Sequence, residues 1–434
     1  MSVPVCRQQL SAEGLLKQAR RVFAQIPDTP DHEIALVDHL MSGLAVFGLK
    51  YPSLLQFDHD REDATKRANL KALYGVECAP CDTRLRERLD TLDPSHLRPL
   101  YKTLFGQLQR GKGLEGFAYL DGHYLLSLDG TGYFSSQKVH CPQCAEKHHR
   151  NGTTTYYHQM LGAVLVHPNA REVFPLAPEP ILKPDGAKKN DGERNAAKRL
   201  LTELRREHPH LKLIVVEDAL ASNGPHIRHL QALDLRFILG AKPSDHAFLF
   251  DWVAASEQTR EVTLTDTGGV CHRFRYLNGV PLNDANFALE VNFLEYWEQD
   301  PHGCMQHFSW VTDLPIDDSN LMTLMRGARA RWKIENETFN TLKNQGYHFE
   351  HNFGHGHHHL STVLMHLMML AFLIDQIQQR CCRLFQAAVI ASKGKMRLWF
   401  ALRARFTLCL IPSWDALYRS IIDPPIFALA PDTS

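Results

Sequence analysis

The sequence predicts an α/β protein with a mixed sheet flanked by helices, interrupted by an all-β insertion, with an α-helical N-terminal domain and a helical C-terminal segment. Three patterns predict this fold. Residues 1–115 carry apolar side chains at the spacing of amphipathic helices. From Gly116 onward, short aromatic and branched runs alternate with helical patterns, as in α/β sheets. Residues 241–308 contain only short strand-like runs between turn residues.

Composition limits the class of protein. The chain has 434 residues, of which 44% are hydrophobic and 22% charged, and this excludes disordered and fibrous proteins. The N-terminus lacks the basic-then-apolar order of a secretory signal. The longest apolar stretch, Leu360 to Ile374, is too short for a membrane span and contains His366, so it predicts a buried core helix. We therefore expect a cytoplasmic protein with reduced cysteines.

In the N-terminal domain, helical spacing is clearest in three segments: Ala12–Gln25, His32–Leu49 and Asp60–Tyr74. A further helix, capped by Asp82 or Thr83, is expected to end at Leu89. We interpret residues 1–115 as a helical domain that binds DNA.

Residues 116–240 give the first part of a catalytic α/β domain. The expected order is three strands, a helix, a strand, a helix and a strand: His123–Asp129, Thr154–His167, Glu172–Leu176, Arg194–Glu207, Leu211–Val216, Pro225–Leu233 and Arg236–Leu239.

Residues 241–308 form the predicted β-rich insertion, and residues 309–380 the second part of the catalytic domain. In that second part a strand at Phe308–Thr312 precedes a long helix from Leu321 to Gly346 and a buried helix from Leu360 to Gln379. Residues 381–434 are a basic C-terminal segment, without acidic residues between Asp375 and Asp415. Clustered Lys and Arg are typical of phosphate contact, and a solvated helix face is the alternative.

Three acids fall where an α/β sheet can bring them together. Asp129 ends the first predicted strand, Asp218 ends the fourth, and Glu335 lies on the long helix after the insertion. Strand ends of α/β sheets are where side chains converge. Converging carboxylates are the ligands that Mg²⁺ prefers, and paired Mg²⁺ ions support phosphodiester chemistry. The pattern therefore indicates a metal-dependent phosphodiester enzyme.

The helix that carries Glu335 also carries a family signature. In ARARWKIENETFNTLKNQGY, the core is Arg331, Trp332, Ile334 and Glu335, and the later part is Phe339, Leu342 and Lys343. Residues 120–380 thus resemble the cut-and-paste DDE transposases of bacterial insertion sequences, whose catalytic domain is ribonuclease-H-like with a β-rich insertion. The chain departs from the signature at two positions. Ala328 replaces its Tyr, and Lys343 lies one residue too far from Glu335.

The resemblance implies an endonuclease and strand-transfer activity in DNA transposition and recombination. Asp129 would bridge two Mg²⁺ ions, which Mn²⁺ can replace, while Asp218 and Glu335 would each complete one. The implied partner is double-stranded DNA, both terminal inverted repeats and target, bound by a homodimer at the nucleoid. A regulator that binds DNA and has lost catalysis is the alternative from another class, and a nuclease that does not transpose is a third.

Glu337 is the alternative third carboxylate. Glu335 is favoured because Arg331 lies four residues before it, on the same face of an α-helix, where the two charges can pair. Glu337 is six residues from Arg331, toward the opposite face.

Basic and aromatic side chains supply candidate DNA contacts. The basic candidates are Arg331, Lys343, Lys188, Lys189, Arg403 and Arg405. In the insertion, Trp252 and Trp297 are candidates for stacking on an unpaired base, with an ordinary core tryptophan as the alternative.

Cys141 and Cys144 have the spacing of half a structural zinc site. The second half is left open between Cys78 with Cys81 and a nearby histidine, His148 or His149. The later histidines could bind a metal, but a flexible Gly/His turn is favoured for them: His355, His357, His358 and His359.

Overall fold

A computed structural model describes residues 10–28, 33–183 and 191–424. The chain divides into two compact units. The first, called here the helical unit, comprises Met1–Glu115, Gly132–His158 and Phe339–Ser434. The second, the sheet unit, comprises Gly116–Thr131 and Gln159–Thr338. The helical unit thus unites the N-terminal and C-terminal regions, which the sequence pattern treats as separate domains.

The helical unit contains most of the helices. Their bounds are α1 Ala12–Phe23, α2 Leu36–Gly48, α3 Leu54–Arg61, α4 Ala64–Tyr74, α5 Asp82–Asp90, α6 Arg98–Arg110, α11 Asn340–Asn344, α12 Leu360–Cys381, α13 Arg383–Ala391, α14 Lys395–Leu408 and α15 Trp414–Ile422. The predicted N-terminal helices are present, but α2 begins only at Leu36 and the segment Asp60–Tyr74 is divided. The predicted cap of α5 is wrong, because Asp82 and Thr83 lie inside the helix and Cys81 precedes it. Helix α3 ends at Arg61, and Asp63 caps α4 by accepting a hydrogen bond from the amide of Lys66.

Helix α12 is the core of the helical unit, as its composition predicts. It packs on α2, α5 and α13. Its 22 residues are long and apolar enough to cross a membrane, but 94% of its apolar window is buried inside the protein. His366 and Asp375 are also buried in it, and Asp375 accepts hydrogen bonds from Lys50 (2.7 Å) and Tyr347 (2.6 Å). We therefore interpret α12 as a core helix.

The strands form a mixed sheet. In the part of the chain that the structure describes, they are β1 Tyr124–Ser136, β2 Ala145–His148, β3 Thr154–Val166, β4 Phe174–Pro175, β5 Glu179–Ile181, β6 Leu213–Glu217, β7 Arg236–Gly240, β8 Arg260–Thr265, β9 Cys271–Pro281, β10 Glu290–Gln299 and β11 Met305–Thr312. The order is β3-β1-β6-β7-β11-β10-β9-β8, with β1, β6 and β7 parallel. Strand β2 pairs with the start of β3, and β4 and β5 pair with its later residues.

Helices connect the parallel strands of the sheet unit. Helix α7, Glu193–Glu207, precedes β6, and helix α8, Gly224–Ala232, joins β6 to β7. The buried residues of α7 recur every three to four positions and form one apolar face: Ala196, Ala197, Leu200, Leu201 and Leu204. All five residues of β6 are buried, as expected for a parallel strand covered on both faces.

The insertion is not all-β, contrary to the sequence prediction. Helix α9, Ala247–Ala255, opens it, and β8, β9 and β10 follow as predicted. The segment AFLFDWVAA is apolar almost throughout, and such a short run has no periodicity that separates strand from helix. Burial of Leu249 and Val253, one helical turn apart, favours the helix.

Strand β1 is longer than predicted, so Asp129 lies within a strand and does not end it. Pairing with β6 stops at Ser127, but the strand continues to Ser136. The sequence Gly130-Thr131-Gly132 suggests a turn. In the structure, Gly130 instead makes room for Glu193, whose carboxylate a Cβ at this position would strike.

The predicted long helix from Leu321 to Gly346 is broken into four pieces. Helix α10, Leu321–Arg329, is followed by a 3₁₀ turn at Ala330–Trp332 and a π-helical segment at Ile334–Phe339 before α11. The regular α-helical register that separated Glu335 from Glu337 therefore does not apply here. Single π-helical turns occur frequently at functional sites.

Candidate functional site

Two of the predicted acids lie just beyond the paired part of strands β1 and β6. In this parallel pair, Tyr124 lies opposite Leu213 and Ser127 opposite Val216, where the pairing ends. Asp129 follows two residues later on β1, and Asp218 is the first residue after β6. Asp218 also caps the 3₁₀ turn after β6, where it accepts a hydrogen bond from the amide of Leu220 at 2.9 Å.

Arg331 connects Asp129 with Glu335. Its Nη1 lies 3.3 Å from Asp129 Oδ2, and its Nη2 lies 2.7 Å from Glu335 Oε1. The backbone carbonyl of Arg331 accepts a hydrogen bond from the Ser127 hydroxyl at 3.1 Å, which fixes the segment to β1. The guanidinium therefore places a positive charge between the two carboxylates.

The pKa of Asp129 is raised by its surroundings. Burial raises the pKa of Asp129 to about 6, which Arg331 opposes and the nearby Glu335 increases. A raised carboxyl pKa means that the ionised form lacks sufficient stabilisation from its surroundings. An additional cation would supply that stabilisation.

Glu193 is a fourth carboxylate that the sequence pattern did not single out. It begins α7 and packs against Gly130. Burial raises the pKa of Glu193, and the charges of Asp218 and Glu217 raise it further. An acid in the first turn of a helix is the usual complement to the helix dipole, so its spacing alone carries no functional signal.

Glu337 has different neighbours from Glu335. Burial lowers the pKa of Lys333, and the charge of Glu337 raises it. The ammonium of Lys333 donates to the carbonyl of Ala170 at 2.8 Å. Glu335 forms an ion pair with Arg331, whereas Glu337 interacts through its charge with Lys333.

The carboxylates offer oxygen ligands, which suit Mg²⁺. Among the described residues, however, Asp129, Asp218 and Glu335 do not form a group with ligand atoms all within 4.8 Å of one another. Arg331 lies between two of them, and the side chain of Glu335 is 47% exposed. For an ion to bridge Asp129 and Glu335, the guanidinium has to leave this position.

The predicted basic DNA contacts are dispersed. Lys188 and Lys189 lie outside the described residues. Lys343 pairs with Glu350 at 2.9 Å. The guanidinium groups of two C-terminal arginines bind backbone carbonyls of the helical unit, Arg403 that of Lys50 at 2.7 Å and Arg405 that of Ser420 at 2.8 Å.

Among the tryptophans of the sheet unit, Trp297 packs between His307 at 5.1 Å and the guanidinium of Arg273 at 4.2 Å. Trp252 is 40% exposed and contacts Phe287. Trp332, next to Arg331, is 44% exposed and was not predicted to contact DNA. Its position in the signature core is the only sequence feature that singles out Trp332.

The helical unit holds a separate cluster of four buried ligand side chains: Cys141, Cys144, His158 and His355. Their ligand atoms all lie within 4.8 Å of one another. A hydrogen bond with Cys144 lowers the pKa of the Cys141 thiol, and another with His158 contributes, although burial opposes both.

The structure corrects the predicted second half of this site. Cys78 is exposed, and neither it nor Cys81 belongs to the cluster. His148 is exposed on β2, and the ring of His149 forms a hydrogen bond with the hydroxyl of Thr155. Neither histidine belongs to the cluster. The cluster instead uses His158 and His355, the latter from the segment interpreted as a flexible turn. Sequence separation hides His355, which lies 211 residues after Cys144, whereas His158 follows Cys144 by only 14 residues.

Comparison with known protein families gave no match, and no curated protein matches the chain. Among solved structures, the chain is similar to a piggyBac transposase in a synaptic complex with hairpin DNA, determined by cryo-EM. The TM-score is 0.39 and the identity 12%, over 99% of this chain and 85% of that chain. A likeness at this level assigns neither a family nor residue roles.

Proposed function

We propose that this chain is a DDE transposase of the insertion-sequence type. Its sheet unit would be a ribonuclease-H-like catalytic domain that cuts transposon ends and joins them to target DNA. The observation that carries the proposal is the grouping of three acids. Asp129 lies on β1 just beyond its pairing with β6, Asp218 directly follows β6, and Arg331 links Asp129 to Glu335.

Asp129, Asp218 and Glu335 would hold two Mg²⁺ or Mn²⁺ ions. Such a pair supplies an activated nucleophile and neutralises the charge of the leaving oxygen. Asp129 contributes a carboxylate whose raised pKa favours a cation partner over the free ionised state. Arg331, once displaced from Asp129, has a planar guanidinium suited to two hydrogen bonds with a DNA phosphate.

Glu335 is proposed as the third ligand, with Glu337 outside the site. Glu335 shares Arg331 with Asp129, whereas Glu337 lies near Lys333. The π-helical segment also bears on the family signature. A π-helical turn holds more residues than an α-helical turn, and the chain has one residue more between Glu335 and Lys343 than the signature has.

The proposed partner is double-stranded DNA, bound as a homodimer because two transposon ends must be brought together. Arg331, Lys343, Lys188 and Lys189 remain proposed phosphate contacts. Arg403 and Arg405 can contribute to binding only with the part of the guanidinium that their backbone bonds leave free. A cytoplasmic, nucleoid-associated protein remains our expectation.

The test is cleavage of labelled DNA ends taken from the borders of the element that encodes this chain. Asp129→Asn should abolish nicking in Mg²⁺, a loss of roughly three or more orders of magnitude, while binding persists, because the variant loses a proposed metal ligand. Asp121→Asn, on an exposed turn shortly before β1, is the matched control and should cleave normally. Wild-type nicking by Asp129→Asn would refute the assignment.

A DNA-binding regulator without catalysis is the second candidate. The position of Arg331 favours it, because the guanidinium pairs with two of the three acids that would hold the ions. This candidate predicts that the wild-type protein binds the ends but does not nick them in Mg²⁺ or Mn²⁺. Nicking that depends on Asp129 excludes it.

A further inference from the structure

The Cys/His cluster is assembled from three separate segments of the helical unit. Cys141 and Cys144 lie in the turn before β2, His158 lies in β3, and His355 lies in the loop before α12. All four are buried. The Nδ1 atoms of both histidines have no hydrogen-bond partner, and each Nε2 faces a cysteine sulfur.

The distances in this cluster match the edges of a zinc tetrahedron. With Zn–S of about 2.3 Å and Zn–N of about 2.05 Å, a regular tetrahedron has an S···S edge of about 3.8 Å and S···N edges of about 3.6 Å. The observed Cys141 Sγ–Cys144 Sγ distance is 3.8 Å. The Sγ–Nε2 distances are 3.5 Å for Cys141–His158 and 3.4 Å for both Cys144–His158 and Cys144–His355.

We propose that Cys141, Cys144, His158 and His355 bind one Zn²⁺ ion as a closed structural site. Thiolate and imidazole ligands select zinc over Mg²⁺, which prefers oxygen. Four protein ligands leave no coordination position for water or substrate, which is the pattern of structural and not catalytic zinc. This proposal is independent of the DDE function.

The loop that presents His355 is held in place by Asp90. The carboxylate of Asp90 accepts hydrogen bonds from four consecutive backbone amides, those of His357, His358, His359 and Leu360, at 2.9, 2.9, 3.0 and 3.0 Å. Gly356, with φ +70°, allows this wrap, since a Cβ there would strike Asp90. Asp90 is therefore a positioning residue for the zinc site.

Aromatic rings support the two histidines. The ring of Phe134 packs on His355 with centroids 4.3 Å apart, and Tyr133 stacks on His158 at 5.7 Å. Ordered ligands lose little conformational entropy on binding, which favours a high affinity. Zinc would then cross-link residues 141–158 to the loop before α12 and stabilise the helical unit.

The first experiment measures the metal content of the full-length protein, purified without chelators, by elemental analysis. We expect about one zinc per chain. Cys144→Ser and His355→Gln should each reduce this to below about a tenth. The matched controls Cys78→Ser and His357→Gln, a cysteine and a histidine outside the cluster, should retain it. No zinc in the wild-type protein, or full loss in the controls, would overturn the proposal.

The second experiment does not depend on whether the variants fold. Metal-stripped wild-type protein is titrated with Co²⁺ alone, and its absorption is recorded. A strong ligand-field spectrum with thiolate charge-transfer bands is expected for four-coordinate cobalt with two sulfur ligands. A weak six-coordinate spectrum would contradict the site. A Cys141–Cys144 disulfide found by mass spectrometry in freshly purified protein would likewise overturn it and indicate a redox pair instead.

Discussion

The acidic site of the sheet unit and the Cys/His cluster of the helical unit differ in how completely they are assembled. The cluster holds four buried ligand atoms within 4.8 Å of one another. In the acidic site, Arg331 lies between Asp129 and Glu335, and Glu335 is half exposed. The two sites therefore differ both in the chemistry of their ligands and in how closely those ligands converge.

Charge explains the contrast. Thiols and neutral imidazoles can pack together without strong repulsion, and burial is favourable for them. Several carboxylates cannot converge in a partly buried site without a counter-ion, because each raises the pKa of the next. In the acidic site Arg331 supplies that counter-ion to Asp129 and Glu335.

The largest expected effect separates the two glutamates of the acidic site. Glu335→Gln should reduce end cleavage by roughly three or more orders of magnitude, because it removes a metal ligand. Glu337→Gln is the matched control and should retain most activity, since it loses only a charge interaction with Lys333 and no proposed metal ligand. Cleavage is compared in Mg²⁺ and Mn²⁺ after circular dichroism confirms folding. An inactive Glu337→Gln beside an active Glu335→Gln would reverse the assignment.

The next prediction tests whether Asp90 positions the loop that carries His355. Asp90→Ala should lower the free energy of unfolding by about 2–4 kcal/mol, because four backbone amides lose a charged acceptor. Asp93→Ala removes only an exposed cap on a 3₁₀ turn and should cost about 1 kcal/mol. Denaturant unfolding measures both. Zinc content should fall in Asp90→Ala alone, and equal zinc in both variants would contradict the positioning role.

The smallest effect concerns stability at the acidic site. The pKa of Asp129 is about 6 in the folded protein, against about 3.9 in unfolded chains. The folded state therefore holds the proton more tightly, and ionised Asp129 destabilises it increasingly as pH rises from about 4 to about 6. In metal-free protein at pH 7, Asp129→Asn should raise the free energy of unfolding by about 1–2 kcal/mol.

That gain should vanish below about pH 4, where Asp129 is protonated in both folded and unfolded protein. Unfolding curves at several pH values measure it, with Asp121→Asn as the control that should show no such trend. A variant that is less stable than wild type at pH 7 would mean that the ion pair with Arg331 outweighs the cost of burial. The acidic site would then resemble the cluster in stabilising the fold.

The sequence by itself predicted the mixed α/β class, most helices and strands, and the zinc half-site of Cys141 and Cys144. These predictions rest on local information. Apolar periodicity reports which face of α7 or α12 is buried, and the CxxC spacing reports two ligands that a single turn can present.

Only the tertiary structure decided which distant residues meet. His158 and His355 complete the cluster because strand β3 and the loop fixed by Asp90 converge on the turn at Cys141. Glu193 reaches the acidic site because Gly130 leaves it space. No local pattern encodes such encounters, since they depend on chain segments far apart in sequence.

The sequence pattern also does not predict the local backbone conformation of two segments that depends on tertiary packing. The helix around Glu335 looks regular by periodicity, but its Ala330–Trp332 and Ile334–Phe339 segments are 3₁₀ and π-helical. The apolar segment of α9 is ambiguous by composition, and its packing on β9 favours the helix. In both cases the intrinsic preferences differ by fractions of a kcal/mol per residue, less than the packing energy that decides between them.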